Sequence, residues 1–161
     1  MAKVMMNARD AVSAAMAECY ITIDGKRYNF MQAIDLVARV EKTKTQVPIL
    51  GKPGRGTKSV GWRGTGRATA HYNQSVLRQM LEKYKDRGED TYFEIQVTNE
   101  DPTSSVGRQT VILTDCCLDG GILTRFDANG VYLDEEISFT FDDFRIAERF
   151  RQPKRVLTRK D

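Results

Sequence analysis

The chain has 161 residues, 40% of them apolar and 29% charged, which is the length and composition of one globular domain. No apolar run approaches the ~20 residues of a membrane-crossing helix, so a soluble protein with no membrane partner is expected. Net charge is only +3, too small to define a partner by itself, but it is unevenly distributed. Arg39 to Arg67 holds eight basic residues and one acid, Asp115 to Phe144 holds eight acids and one base, and Arg145 to Asp161 holds seven basic residues and two acids.

In chain order, residues 1–18 read as an N-terminal arm, extended or mobile, because AVSAAMA sustains no amphipathic repeat. Lys3, Arg9 and Asp10 interrupt what would have to be the apolar centre of a signal peptide, so secretion by that route is not expected. A single domain follows over 19–150. CYITIDGKRYNF predicts a hairpin, with Asp24-Gly25 supplying the positive backbone dihedrals of its turn. From Ile34 a long strand runs to Pro48, which lacks a ladder donor and marks the exit. Its later half, from Glu41 to Gln46, is polar on both faces, which a domain core does not require. A strand that outgrows its own core pairs or packs elsewhere.

Residues 48–64 read as an extended, glycine-rich, basic loop, followed by a strand over Thr65 to Tyr72. Asn73 or Gln74 opens a helix with Val76, Leu77, Met80, Leu81 and Tyr84 at helical spacing, and Gly88 ends it. TYFEIQVTN is a strand with Phe93, Ile95 and Val97 on one side, and Arg108 to Asp115 is another, with a kink at Gly120-Gly121. EEISFTFDDFRI alternates as a final strand, with Ile137, Phe139 and Phe141 inward. The fold class is mainly β with one α-helix, an antiparallel β-sandwich or barrel. A basic tail, 151–161, closes the chain.

Catalytic and cofactor readings fail on spacing. Gly51 and Gly56 are spaced as in a P-loop, but Thr57 stands where lysine is required and Lys58 comes one place late. Gly54-Gly56 and Gly64-Gly66 lack both the third glycine and the helix of a dinucleotide site. His71, the one histidine, has no partner at catalytic spacing. Cys19 and the adjacent Cys116 and Cys117 suit neither a disulfide framework nor a zinc site, and reduced, partly buried thiols are expected. No enzyme, metal or cofactor is expected. Nucleic-acid binding stays open, because Lys52, Arg55, Lys58 and Arg63 could hold phosphates and Trp62 could stack a base. The other reading is homopolymer assembly: separate patches of opposite sign suit head-to-tail contact between identical subunits, although composition equally allows the charges to pair within the monomer or simply keep it soluble.

VEKTKTQVPILGKPGRGTKSVGWRGTGRAT, DTYFEIQVTNEDPTSSVGRQTVIL and EEISFTFDDFRIAERF, in this order from about Asn7 to Phe150, resemble the tail-tube proteins of contractile-tailed bacteriophages and of PBSX-like phage tail-like particles. The resemblance implies a non-enzymatic subunit of a virion tail, assembled in the bacterial host cytoplasm, forming six-membered rings that stack into a β-barrel tube. It implies a tail sheath protein and a tail-tip or baseplate initiator as partners, and DNA passing through the lumen without specific binding. The glycine-rich loop would bridge to the adjacent ring, making Lys52, Arg55, Lys58, Trp62 and Arg63 the expected inter-ring contacts. Asp134, Glu135, Glu136, Asp142 and Asp143 are the expected acidic partner surface or lumen lining. The tube of a DNA-free secretion or bacteriocin particle is the neighbouring alternative.

Overall fold

The computed structural model describes residues 7–29 and 33–151; the start of the N-terminal arm and the stretch 152–161 of the basic tail lie outside the described residues. The described residues form eight strands and one α-helix: β1 (Ala17–Ile23), β2 (Lys26–Asn29), β3 (Ala33–Pro48), β4 (Arg55–His71), α1 (Val76–Arg87), β5 (Phe93–Glu100), β6 (Arg108–Gly120), β7 (Asp134–Phe141) and β8 (Asp143–Glu148). Asp24 and Gly25 turn β1 into β2 with φ of 49° and 76°, the twist that a two-residue hairpin needs. Gly88, with φ of 67°, ends α1 by donating its N–H to the Tyr84 carbonyl. The helix cap itself is Ser75, one or two residues later than the sequence suggests.

All strand pairings among the described residues are antiparallel. One sheet runs β2-β1-β5-β6-β8 and the second runs β3-β4-β7-β6, so β6 belongs to both. Up to Cys116 it pairs with β5 and β8; from Cys117 to Gly120 it pairs with β7. A bulge makes the change of sheet possible. Asp115 adopts φ of 52°, and the register steps between Phe93 and Ile95, adding one residue to β6 and bending it. Between the sheets lie Ile21, Ile23, Phe93, Ile95 and Leu113 on one side and Ala68, Ala70, Ile137, Phe139 and Phe141 on the other; α1 adds Met80. Cys19 and Cys116 are buried free thiols, both pushed up to about 12 by loss of hydration, and Cys117 is half-buried.

Three expectations change. EEISFTFDDFRI is two strands, because β7 leaves the second sheet at Asp142 and β8 joins the first. Phe141 is the last inward residue of β7, and Phe144, opposite Leu113, is the next to turn that way. The consecutive acids Asp142 and Asp143 thus shift the alternation by one residue and make a corner. The loop 48–64 shrinks to a turn over 49–54, since Arg55 to Gly64 pairs residue by residue with Pro48 to Val40, apart from one bulge near Val60. Backbone pairing over this length outweighs the glycines' conformational freedom. The described part of the N-terminal arm is docked rather than free: Ser13 N–H donates to Asp101 Oδ2 (2.9 Å), Ser105 N–H to the Arg9 carbonyl (2.8 Å) and Ser105 Oγ to Asp10 Oδ1 (2.6 Å).

Gly64 and Gly66 owe nothing to a nucleotide. They lie directly opposite Phe141 and Phe139 in the β4–β7 ladder, and a Cβ at either would fall 2.4 Å and 2.3 Å from the facing ring. Bare backbone there lets two phenylalanines lie flat across β4. Phe139, the most deeply buried large side chain, is held on another side by Phe93, edge-on at 6.3 Å.

Candidate assembly surfaces

The β3–β4 hairpin leaves the body at Gly64, where the pairing of β4 with β7 ends. Nine further residues of β4 carry its tip roughly 30 Å beyond that point at a strand's rise per residue. Trp62 closes the root, packing edge-on to Phe144 at 5.6 Å and tilted against Phe141 at 6.3 Å. The ring offered by the sequence to a neighbour is therefore partly engaged in its own subunit. Lys52 lies in the turn, Arg55 and Lys58 lie on β4 beyond Trp62 and Arg63 lies beside it at the root, and none of the four joins an ion pair among the described residues. From Lys42 to Arg63 the hairpin carries six cations and no acid. Val47, Ile49, Leu50 and Val60 are exposed on it, an apolar component the reading of charge alone passed over although VPIL is visible in the sequence.

The five acidic candidates do not form one surface. Glu135 is interior: its carboxylate accepts from Arg78 Nη1 at 2.8 Å and its side chain is only 5% exposed. It is removed from any partner surface or lumen, because β7 alternates and residue 135 points to the α1 side. Arg78 also donates to the Ile122 and Gln74 carbonyls and lies over the Tyr72 ring at 4.2 Å, tying α1 to β7 and to the loop before it. Asp134 accepts from Arg125 (3.2 Å) and Glu136 from Arg67 (3.3 Å), both near the start of β7. Asp142 and Asp143 are exposed, without ion pairs among the described residues, at the other end of β7 beside the hairpin root.

The second sheet has one face turned to the core and one polar face. The polar face carries Asp35, Arg39 and Glu41 of β3, Arg67 of β4 and Glu136 of β7 in a shallow groove of mixed sign. At the end of this sheet away from the hairpin, residues 121–133 form an ordered loop. Tyr72 N–H donates to the Leu133 carbonyl and Tyr72 Oη to the Leu123 carbonyl, and Asp127 caps a turn through the Asn129 N–H at 3.0 Å. Leu123, Phe126, Val131 and Tyr132 nevertheless face solvent. Tyr132 meets His71 edge-on at 5.5 Å, a packing role for the one histidine. The sequence reading assigned nothing to this loop, whose signal was four large apolar residues in ILTRFDANGVYL.

A helix-bearing, two-sheet sandwich with a protruding hairpin defines a β-rich structural subunit. The chain belongs to the phage tail tube protein family, whose model matches residues 4–148. Among curated relatives it is 31% identical over 144 residues to the phage-like element PBSX protein XkdM of Bacillus subtilis strain 168, spanning 89% of this chain and 95% of that one. Among solved structures it resembles a chain of the anti-feeding prophage baseplate, solved by cryo-EM with six-fold symmetrisation (TM-score 0.62, 14% identity, 88% and 97% of the two chains). It also resembles a chain of the PVC contractile injection system's sheath–tube complex (0.61, 8%, 84% and 90%) and the SPP1 tail tube (0.58, 11%, 84% and 78%). At these identities the structural matches establish the fold.

Proposed function

We propose that this subunit closes into six-membered rings that stack as the inner tail tube of a contractile phage or phage-like particle, surrounded by a sheath, started by a baseplate and conducting DNA. The observation that carries this reading is the second sheet, open at both edges among the described residues. β3 pairs only with β4 along one edge, and Cys117–Gly120 of β6 pairs only with β7 along the other. Unpaired strand edges are a hazard that barrel closure removes. A ring of subunits joined edge to edge turns this sheet into a continuous barrel wall. The first sheet covers the core face, so only the polar face is left to line a channel; Arg67 and Glu136 would face the lumen and Glu135 would not. Paired charges of both signs offer DNA no continuous cationic track, which suits a conduit rather than a binding site. The six-fold symmetry applied to the anti-feeding prophage baseplate and the sheath of the PVC complex support the ring and the outer layer by analogy.

Negative-stain electron microscopy of the purified protein, concentrated at low and moderate salt, tests the reading. Hollow tubes or stacked rings are expected, and the triple variant K52E/R55E/K58E should lose them while keeping the wild-type melting temperature. Small particles at every concentration, together with tight DNA binding that weakens steeply with salt, would replace the tube with a nucleic-acid-binding function.

A further inference from the structure

The hairpin tip and the 121–133 loop lie at opposite ends of one sheet. β4 runs from the tip at Arg55 to His71, and β7, antiparallel to it, begins opposite His71 at Asp134, directly after the loop. Stacking copies along the strand direction therefore brings the tip of one copy to the loop of the next. The two surfaces also match in chemistry. The tip presents Val47, Ile49 and Leu50; the loop presents Leu123, Phe126, Val131 and Tyr132, with Arg125 and Asp127 as its own two charges. Its backbone is already held by Tyr72 and Arg78, so docking need not order it.

We infer that the 121–133 loop is the acceptor for the β3–β4 hairpin tip of a second copy, with Leu50 and Ile49 seating against Phe126 and Val131. The inference rests on the tube reading and specifies its axial contact. The contact is heterologous, a donor at one end and an acceptor at the other, so it propagates along an axis and needs no closing symmetry. Exposed apolar side chains on both surfaces supply the contact area. Phe126 and Val131 are 89% and 97% exposed in the single subunit, so replacing them leaves the fold intact and acts on assembly alone.

The test uses the full chain in a C117S background, since the two remaining cysteines are buried. L50C and F126C, carried on tags of different size, are mixed at assembling concentration and oxidised. The L50C–F126C heterodimer is expected in excess over both self-pairs, and F126D/V131D should raise the concentration needed for tubes by about tenfold or more with an unchanged melting temperature. Tubes that form from F126D/V131D at the wild-type concentration, without the heterodimer, would overturn the docking site and leave the tube standing. No tubes from the wild-type chain together with no heterodimer from the L50C and F126C mixture would overturn both. Should F126D/V131D fail to fold, the cross-link decides alone.

Discussion

Gly66→Ala adds one methyl group at the most constrained point of the second sheet. The new Cβ would lie 2.3, 2.6 and 2.9 Å from three carbons of the Phe139 ring, whereas carbon atoms rest comfortably at about 3.5–4.0 Å. The ring must retreat by roughly 1 Å, yet Phe139 is 1% exposed and Phe93 stands against it. Overpacking of this kind costs about 1–3 kcal/mol. The alanine recovers roughly 0.5–1 kcal/mol of unfolded-state entropy, leaving a net loss of about 0.5–2 kcal/mol. Gly61→Ala is the control: it lies on the same strand, and no atom comes within 4 Å of its added Cβ. It should be neutral or slightly stabilising. In urea, at protein concentrations below assembly, a net loss of that size moves the Gly66→Ala midpoint down by roughly 0.25–1 M, given a slope of about 2 kcal/mol/M. Phe139→Leu should be better tolerated in the Gly66→Ala background than alone, since the smaller side chain relieves the clash. Equal midpoints for the two glycine variants, or an additive double variant, would refute the close approach as the reason for glycine.

Breaking the Arg78–Glu135 pair by Glu135→Ala should cost about 1.5–3 kcal/mol, because it removes the charged acceptor and leaves Arg78 only the Ile122 and Gln74 carbonyls and the Tyr72 ring, and Arg78→Met with Glu135→Leu should regain most of it. A single-variant loss under about 1 kcal/mol in the same urea titration would mean that water reaches the site. Asp101 accepts from Thr103 Oγ1, Thr103 N–H and Ser13 N–H, and these bonds hold its carboxyl below its ordinary 3.8. A lowered carboxyl contributes stability that is present above 3.8 and lost as pH falls through the folded value. The protection of the Ser13 and Thr103 amides, taken as exchange relative to the intrinsic rate at each pH, should therefore fall on acidification, and Asp101→Asn should flatten that dependence. Parallel pH profiles for the two proteins would remove Asp101 as the clasp of the N-terminal segment.

Local signals in the sequence were enough wherever the deciding force is local. Asp24-Gly25, the α1 periodicity with Gly88 behind it, and the inward set Ile137, Phe139 and Phe141 follow from dihedral preference and from the periods 2 and 3.6, and together they specify a mainly β domain with one helix. The ordered set of segments was also enough to point to the tail tube family. The tertiary structure decided what depends on partners distant in the chain. Composition alone makes GKPGRGTKSVGWRG a loop, whereas its pairing with TKTQVP makes most of it strand; a ladder of long-range hydrogen bonds overrides glycine's local preference for disorder. Gly64 and Gly66 read as flexibility until Phe139 and Phe141 are seen lying across them. Acid content alone cannot separate Glu135 from Glu136; the pleat does, sending one to Arg78 inside and the other to Arg67 on the open face. The sequence by itself thus determined the kind of fold and the lineage, which are written in periodicity and segment order. Which charges are free to meet another molecule was decided only in three dimensions, because a charge's availability depends on what the fold packs against it.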